Sequence, residues 1–287
     1  MTNSSIITPR GTSQRPATRV GSKAVKGARM AAKSAFAAAD LFLGAWPGPR
    51  ILIYHQIGAG SGRQMDVAPN VFRGHLDWLQ SQGRIVGLGD ALADADDPDS
   101  DRSFVLTFDD GYADFYENAF PLLRGRGLPF TLYLTTGHIE TRQPLHQGDV
   151  PLTWEMVREM LDSGLVTLGA HTHSHPDLRG LTTDRVEEEI ERSNDLIELR
   201  TSQVPMHFAY PKGFWDRDAE TVLRRHYSTA VLGAGRPIFS DTDPHRIPRV
   251  PIQQSDGHFF FRRKVARGMR MEERARKIIK GYLHPPG

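Results

Sequence analysis

The stretch LTFDDGY, residues 106–112, sets two adjacent carboxylates, Asp109 and Asp110, directly after the apolar run FVLTF, residues 104–108. The run predicts a buried strand. Neighbouring carboxylates repel each other and need solvation, so the end of such a strand is an unfavourable place for them. A solvated Asp-Asp-Gly turn is the alternative interpretation, but the preceding apolar run favours a functional site that requires negative charge.

The chain around this stretch alternates between short apolar runs and helical patterns. Strands are predicted at 51–54, 104–108, 130–134, 165–170, 206–210, 228–232 and 247–252, and helices at 71–82, 115–125, 153–163, 184–199 and 216–226. We expect Pro121 to interrupt the second helix and Asp184 to cap the fourth. Apolar strands that alternate with helices are typical of an α/β fold with a parallel sheet, and seven such strands approach a closed barrel.

Polar side chains follow several of these strands. The first strand ends at His55, the second at the Asp109–Asp110 pair, the fourth leads into GAHTHSHPDL (169–178), the fifth into AYPKG (209–213), and the seventh contains Arg249. The C-terminal ends of parallel strands meet at one rim of a barrel, which is where such folds collect their chemistry. We therefore expect these polar groups to lie together.

The segment HTHSH, residues 171–175, contains three histidines. His171 and His175 are four residues apart, so in a helical turn both rings would face one way and His173 another. Two histidines and one carboxylate supply three ligands and leave positions open for water, as in a catalytic metal site. One aspartate of the pair could then bind the metal while the other takes the proton of a water. Coincidental histidines in a polar loop are the alternative.

The motifs TFDDGY, HTHSH and AYPKG, in this order and spacing, resemble those of the polysaccharide deacetylases with a NodB-type domain, carbohydrate esterase family 4. The resemblance covers about residues 50–255. It implies a distorted (β/α)7 barrel that removes N-acetyl groups from amino sugars with a divalent metal ion, most often Zn²⁺, with Co²⁺ or another divalent ion as alternatives.

Carried over by position, the resemblance makes Asp109 the general base, Asp110, His171 and His175 the metal ligands, and the backbone N–H of Lys212 an oxyanion donor. The third motif departs from the family pattern, because Ala209 stands where an arginine is usual. Arg249 is a candidate replacement on the ground of its strand position. The late histidine that serves as general acid has no clean match, and His245 and His258 both remain open.

Aromatic side chains near the predicted rim offer faces for a sugar to stack on: Tyr54, Tyr112, Tyr210, Phe214 and Trp215. We expect Tyr112 and Tyr210, together with His55, to contact the substrate. Ordinary packing is the alternative for each aromatic residue.

The preferred function is therefore a metal-dependent hydrolase that removes N-acetyl groups from an amino-sugar glycan or glycoside. A catalytically impaired sugar-binding module and a non-haem iron oxygenase, which also uses two histidines and a carboxylate, are the rivals. Peptidoglycan, chitin oligomers, poly-N-acetylglucosamine, a lipid-linked sugar and a small glycoside all remain open as substrates.

The charge distribution divides the chain into three parts. Seven basic residues and one acid lie in 1–40, nine basic and two acidic residues lie in 262–280, and acids outnumber bases between them. An acidic body argues against a nucleic-acid partner. We expect a basic, mostly disordered segment 1–46 with a short apolar helix, a deacetylase domain 50–261 and a basic, partly helical tail 262–287. Without cysteine, neither disulfides nor thiolate metal sites can form.

The apolar stretch 34–46 is too short to span a bilayer and contains Asp40. It lies far from the N-terminus for a secretion signal. Together with the basic residues before it, the stretch favours a cytoplasmic protein or one attached peripherally to the inner membrane face, with export as the alternative.

Binding to anionic liposomes tests this expectation. Basic segments gain about 1 kcal/mol per charge near an anionic leaflet, and salt screens the attraction. The protein should pellet with anionic liposomes at low salt, be released at high salt, and lose binding when residues 1–46 are deleted. Equal binding to neutral liposomes, or none to anionic ones, would contradict a peripheral attachment.

Overall fold

The computed structural model describes residues 48–95, 97–236 and 238–267. The expected N-terminal segment 1–46 and most of the expected tail 262–287 lie outside the described residues, so the domain limits and the membrane attachment stay predictions. Among the described helices, none combines the length and the apolar character that a bilayer-spanning segment needs.

A parallel sheet forms the centre of the fold. Its main strands are β1 Arg50–Tyr54, β2 Ser103–Phe108, β3 Phe130–Leu134, β4 Val166–Ala170, β5 His207–Ala209 and β6 Thr229–Leu232. They pair in chain order, every pair parallel, and the short strand Arg84–Ile85 pairs with β2. Every residue of β1, β2 and β3 is buried, as expected for strands that are covered on both faces.

The segment that follows β6 nearly closes the sheet into a barrel. Strand β7, Ile247–Pro248, pairs with β6, and strand β8, Val250–Pro251, pairs with β1 at the opposite edge. The single strand predicted at 247–252 is thus two short strands, because proline has no N–H to donate to the ladder. Arg249 lies at the break between them. The arrangement confirms the predicted distorted (β/α)7 barrel.

Helices cover the outside of the sheet. They are α1 Pro69–Gln82, α2 Leu88–Ala93, α3 Phe120–Arg126, α4 Thr136–Thr141, α5 Trp154–Asp162, α6 Thr183–Thr201, α7 Arg217–His226 and α8 Gly257–Arg267. The short helices α2 and α4 were absent from the sequence prediction, because six residues are too few to show a periodic pattern.

Two helix details can be compared with the sequence. The expected interruption at Pro121 is confirmed, since a π-helical turn, Phe115–Ala119, precedes α3. The predicted cap Asp184 is wrong: the Thr182 side chain accepts the hydrogen bond from the Arg185 N–H, and Asp184 lies within the first turn of α6. Threonine and aspartate are both good caps, so the pattern alone did not separate them.

Helix α8 runs across the expected domain boundary at residue 261. Phe261 and Val265 are fully buried in the hydrophobic core. The Lys264 ammonium pairs with the Asp256 carboxylate at 2.8 Å and donates to the Pro251 carbonyl at 3.1 Å. The helix is thereby attached to the end of β8, next to the rim that carries the polar groups.

Candidate active site and metal centre

The C-terminal strand ends surround one cavity of about 380 Å³. Seven of the predicted site residues line it: His55, Asp109, Asp110, His171, His175, Lys212 and Arg249. Side chains from the first, second, fourth, fifth and last strand regions are therefore brought to one place by the parallel topology, as the sequence pattern predicted.

Three of these residues converge on a single point. Asp110 Oδ1 lies 3.4 Å from His171 Nε2 and 3.5 Å from His175 Nε2. One ligand atom from each residue falls within 4.8 Å of the other two. The Asp110 and His171 side chains are almost completely buried, and the His175 side chain is 14% exposed at the cavity.

The hydrogen bonds of this group fit a cation. His171 Nδ1 lies 2.6 Å from the Ala209 carbonyl oxygen, which can only accept, so Nδ1 carries the proton and the Nε2 lone pair faces Asp110. Asp110 Oδ1 is buried without a hydrogen-bond partner among the described residues. Acceptors that face one another without a donor indicate a missing positive charge, and two imidazoles with a carboxylate are a donor set that divalent metals take.

Burial and neighbouring charges shift the pKa values of the two histidines. Burial, followed by the charge of the neighbouring His171, lowers the pKa of His175 to about 4. This holds the His175 ring in the neutral form that binds a metal. Burial disfavours a charged His171 as well, but the Asp110 and Asp109 carboxylates outweigh it and raise the pKa of His171. Protons and a cation therefore compete for this site.

The backbone at the site adopts an unusual conformation. Six described non-glycine residues have a positive φ, and four of them lie here: Asp110 at 75°, Thr172 at 67°, His175 at 57° and Lys212 at 60°. Such values are uncommon for residues with a Cβ and cluster at functional sites. The segment from 171 to 175 is not helical. Helical spacing is therefore not what brings His171 and His175 together, although both rings do face Asp110.

Asp109 faces a different partner from Asp110. Its two carboxylate oxygens accept hydrogen bonds from Arg249 Nη1 and Nη2, each at 2.7 Å, and Arg249 Nη1 also donates to Thr107 Oγ1 at 2.9 Å. Burial alone would raise the pKa of Asp109, but the Arg249 and His171 charges hold it below its ordinary value. Asp109 is thus ionised and held in one orientation.

Ala209 and Arg249 approach the site from different strand regions. Ala209 is fully buried at the end of β5, and its carbonyl is the acceptor that orients His171. Arg249 enters from the closing segment, and only 1% of its side chain is exposed. Lys212 lines the cavity with its backbone in the left-handed region.

Two sequence-predicted residues, Tyr112 and Tyr210, are buried rather than exposed to the cavity. The cavity walls, as far as the described residues define them, include neither Tyr112 nor Tyr210. Tyr210 is fully buried against Phe208, and Tyr112 is 2% exposed. Both aromatic residues follow strands, but their rings pack in the protein interior. Burial of both rings argues against the predicted stacking of a sugar on them, whereas His55 lines the cavity.

Neither candidate for the late histidine reaches the site. His245 Nε2 lies 2.9 Å from the Tyr227 carbonyl oxygen, and His258 lies against the ring of His75. The imidazoles that line the cavity besides the two metal-ligand candidates are His55 and His146.

Sequence reasoning missed one wall of the cavity. Gln64, Met65, Leu145 and His146 line it from two loops. The loops are joined by Asp149, which pairs with Arg63, accepts from Gln56 Nε2 at 3.1 Å, and accepts from the His146 N–H at 3.1 Å. No motif or periodicity marks these residues, and only the pairing of distant loops brings them to the site.

A parallel barrel whose rim holds a cation site of two histidines and a carboxylate, next to a carboxylate fixed by arginine, defines a class of metal-dependent hydrolases. The model of the polysaccharide deacetylase family matches residues 96–231. Over these residues the chain is similar to the family, and the predicted resemblance and enzyme class, a carbohydrate N-deacetylase acting on carbon–nitrogen bonds, are confirmed.

Individual proteins of this kind are also similar to the chain. YxkH of Bacillus subtilis, assigned by name to the polysaccharide deacetylases, is 29% identical over 206 residues, which is 70% of each chain. Poly-β-1,6-N-acetyl-D-glucosamine N-deacetylase of Staphylococcus epidermidis is 26% identical over 160 residues. That alignment spans about half of both proteins, 53% of this chain and 55% of the relative.

Solved structures share the fold. IcaB of Ammonifex degensii superposes with a TM-score of 0.65 at 24% identity, over 76% of this chain and 96% of that one. The deacetylase PplD of Streptococcus pyogenes, solved with acetate, gives a TM-score of 0.65 at 22% identity, over 78% of this chain and 99% of that one.

Removal of single histidines tests the ligand set. His171→Ala or His175→Ala should weaken zinc binding by more than the 10- to 100-fold typical of outer-shell changes, because each removes a ligand. His173→Ala should keep the metal, since His173 Nδ1 faces Thr136 Oγ1 at 3.2 Å. Metal content after dialysis, measured by mass spectrometry, gives the result. Loss of zinc from the His173 variant would contradict the assignment.

Proposed function

We propose that the chain is a metal-dependent N-deacetylase that hydrolyses the acetamido group of an N-acetylated hexosamine in a glycan. One observation carries the proposal: the ionised Asp109, held by Arg249, stands beside the three-acceptor site of Asp110, His171 and His175. A proton acceptor next to a cation site is the arrangement that hydrolysis of an unactivated amide requires.

The donor set favours zinc as the metal. Two imidazole nitrogens and one carboxylate oxygen supply three ligands and leave a fourth position open. When bound, a zinc ion lowers the pKa of a coordinated water toward about 7 and polarises the acetyl carbonyl. Cobalt accepts the same donors and serves as a spectroscopic substitute.

Asp109 acts as the general base. Each of its oxygens accepts one hydrogen bond from Arg249, so each keeps a second lone pair for a water proton. The arginine lowers the basicity of the Asp109 carboxylate. It also fixes the direction in which Asp109 accepts a proton from the attacking water. A positioned base of this kind typically contributes about 10²–10⁴-fold in rate.

The other roles at the cavity follow from placement. The backbone N–H of Lys212 is proposed as a donor to the oxyanion that develops on the acetyl oxygen. This role rests on the family pattern and on the place of Lys212 at the cavity wall. The amine that leaves must gain a proton, and His55 and His146 are the imidazoles placed to supply it.

The substrate class is proposed from the cavity and the relatives. The volume of about 380 Å³ suits one hexosamine unit with its acetamido group. The staphylococcal relatives are named for poly-β-1,6-N-acetyl-D-glucosamine, and we propose that an N-acetylglucosamine polymer is the substrate here.

Acetate release from a panel of glycans tests the proposed function. β-1,6-linked and β-1,4-linked N-acetylglucosamine oligomers, peptidoglycan fragments and a simple N-acetylglucosaminide should be compared at equal sugar concentration with zinc-loaded protein. Release from an oligomer, abolished by a chelator and restored by zinc, is expected. Retained zinc with no acetate from any of these glycans would favour a sugar-binding module instead.

Neutralising each aspartate separates its role. Asp109→Asn should keep zinc and lose about 10²–10⁴-fold in kcat, because the base is gone while the ligands remain. Asp110→Asn should lose zinc affinity, because an amide oxygen is a poorer ligand for a dication. Zinc titration and acetate release are measured on both variants. Equal loss of zinc in both would contradict the assignment of Asp109 as base and Asp110 as ligand.

A further inference from the structure

Glu189 is a buried carboxylate outside the cavity. It lies on α6, its side chain is 1% exposed, and its helix neighbours Val186 and Ile190 belong to the hydrophobic core. A buried carboxylate is costly unless its charge is compensated by hydrogen bonds. The hydrogen-bond donors to Glu189 therefore indicate which part of the structure its carboxylate stabilises.

Most of the donors to Glu189 come from the loop that carries the two histidines. Glu189 Oε2 accepts from the backbone N–H groups of His173, at 3.1 Å, and Ser174, at 2.7 Å. Glu189 Oε1 accepts from Ser174 Oγ at 2.7 Å and from Arg185 Nη2 at 2.8 Å. Hydrogen bonds to a charged acceptor are about twice as strong as neutral ones.

The loop needs such support because its backbone is strained. Thr172 and His175 both have positive φ, and conformations of this kind are costly for residues with a Cβ and persist only where the surrounding structure imposes them. Two residues of α4 hold the other side of the loop: the Gly137 N–H donates to the His173 carbonyl at 2.8 Å, and the Thr136 N–H donates to the Thr172 carbonyl at 3.3 Å.

Gly137 shows how closely α4 approaches. A Cβ at this position would lie 2.6 Å from the His173 carbonyl oxygen, so glycine is required for the contact. The residues between the two ligand histidines are thus held by a carboxylate on one side and by backbone N–H groups on the other.

We infer that Glu189 is a positioning residue for the metal centre, which fixes the loop between His171 and His175 and so sets the direction of the His175 ring toward Asp110. The inference rests on the proposed cation site but not on the identity of the glycan. Without the Glu189 carboxylate, the N–H groups of the two residues before His175 and the Ser174 hydroxyl lose their acceptor, and the His175 N–H keeps only its bond to Thr172 Oγ1, at 3.0 Å.

Glutamine cannot fully replace Glu189. Its amide has one acceptor oxygen, so the –NH₂ group would face either the two loop N–H donors or the Arg185 guanidinium. Glu188 offers a matched control on the same helix. It also pairs with Arg185, but its side chain is 50% exposed and it makes no hydrogen bond to the loop among the described contacts.

Cobalt binding tests the inference without relying on turnover. Co²⁺ is titrated into metal-free Glu189→Ala, Glu189→Gln, Ser174→Ala and Glu188→Gln, with the visible absorption spectrum and the dissociation constant as readouts. Both Glu189 variants should bind cobalt about 10- to 100-fold more weakly and give an altered spectrum, as expected when an outer-shell partner is lost. Ser174→Ala, which deletes one loop contact, should show a smaller loss, and Glu188→Gln should match the parent protein.

Thermal unfolding of the metal-free variants in chelator separates positioning from folding. If Glu189→Ala fails to fold, the isosteric Glu189→Gln and the mild Ser174→Ala decide the question. Parental cobalt affinity and spectrum in all folded Glu189 and Ser174 variants would overturn the inference. Absence of acetate release from every glycan would overturn the proposed function alone, because the cobalt results do not depend on it.

Discussion

The buried ion pair between Asp109 and Arg249 is the interaction on which the rest of the structure depends. Both side chains are almost entirely removed from water, 4% and 1% exposed, and two hydrogen bonds of 2.7 Å join them. Removing one partner from such a pair typically costs about 3–5 kcal/mol, because the remaining charge stays buried and unpaired. Asp109 ends β2, and Arg249 lies between the two short strands that nearly close the barrel. The same contact therefore orients the Asp109 carboxylate and ties the last strand segment to the centre of the sheet.

The candidate metal site depends on backbone conformations that are unusual for residues with side chains. Asp110, Thr172 and His175 all have positive φ, and the sheet and its covering helices impose these values. Asp110 turns away from Asp109 because the chain leaves β2 at that point: the Asp109 N–H still donates to the Tyr54 carbonyl, at 3.0 Å, whereas Asp110 begins the turn. Two consecutive carboxylates thus reach different partners, one a guanidinium and the other a pair of imidazoles.

Much of this site could be predicted from the sequence, because apolar strands followed by acids and histidines specify both a parallel sheet and its functional rim. Arg249 was a candidate from strand position alone, and the structure brings it to Asp109. The conformation of the HTHSH segment could not be predicted, since hydrogen bonds from α4 and α6 determine it. Tyr210 was misplaced because a sequence pattern does not show whether an aromatic ring at a strand end turns inward.

The cavity residues that the sequence did not predict lie on loops. His146 and Gln64 reach the cavity on loops that are joined through Asp149, and such contacts between distant loops leave no periodic signal. The resemblance to a family left His245 and His258 open as the general acid. In the structure both histidines are held in contacts away from the cavity. Residues in motifs that follow the strands were therefore predictable, whereas residues placed by contacts between distant loops were not.

A crystal structure of the zinc-loaded protein, with the metal located by anomalous scattering, tests the central claim most directly. The account predicts a single zinc peak about 2.0–2.2 Å from Asp110, His171 Nε2 and His175 Nε2, with Asp109 still bound through both oxygens to Arg249. A peak with Asp109 among the ligands and Arg249 displaced, or no peak between the two histidines, would contradict it.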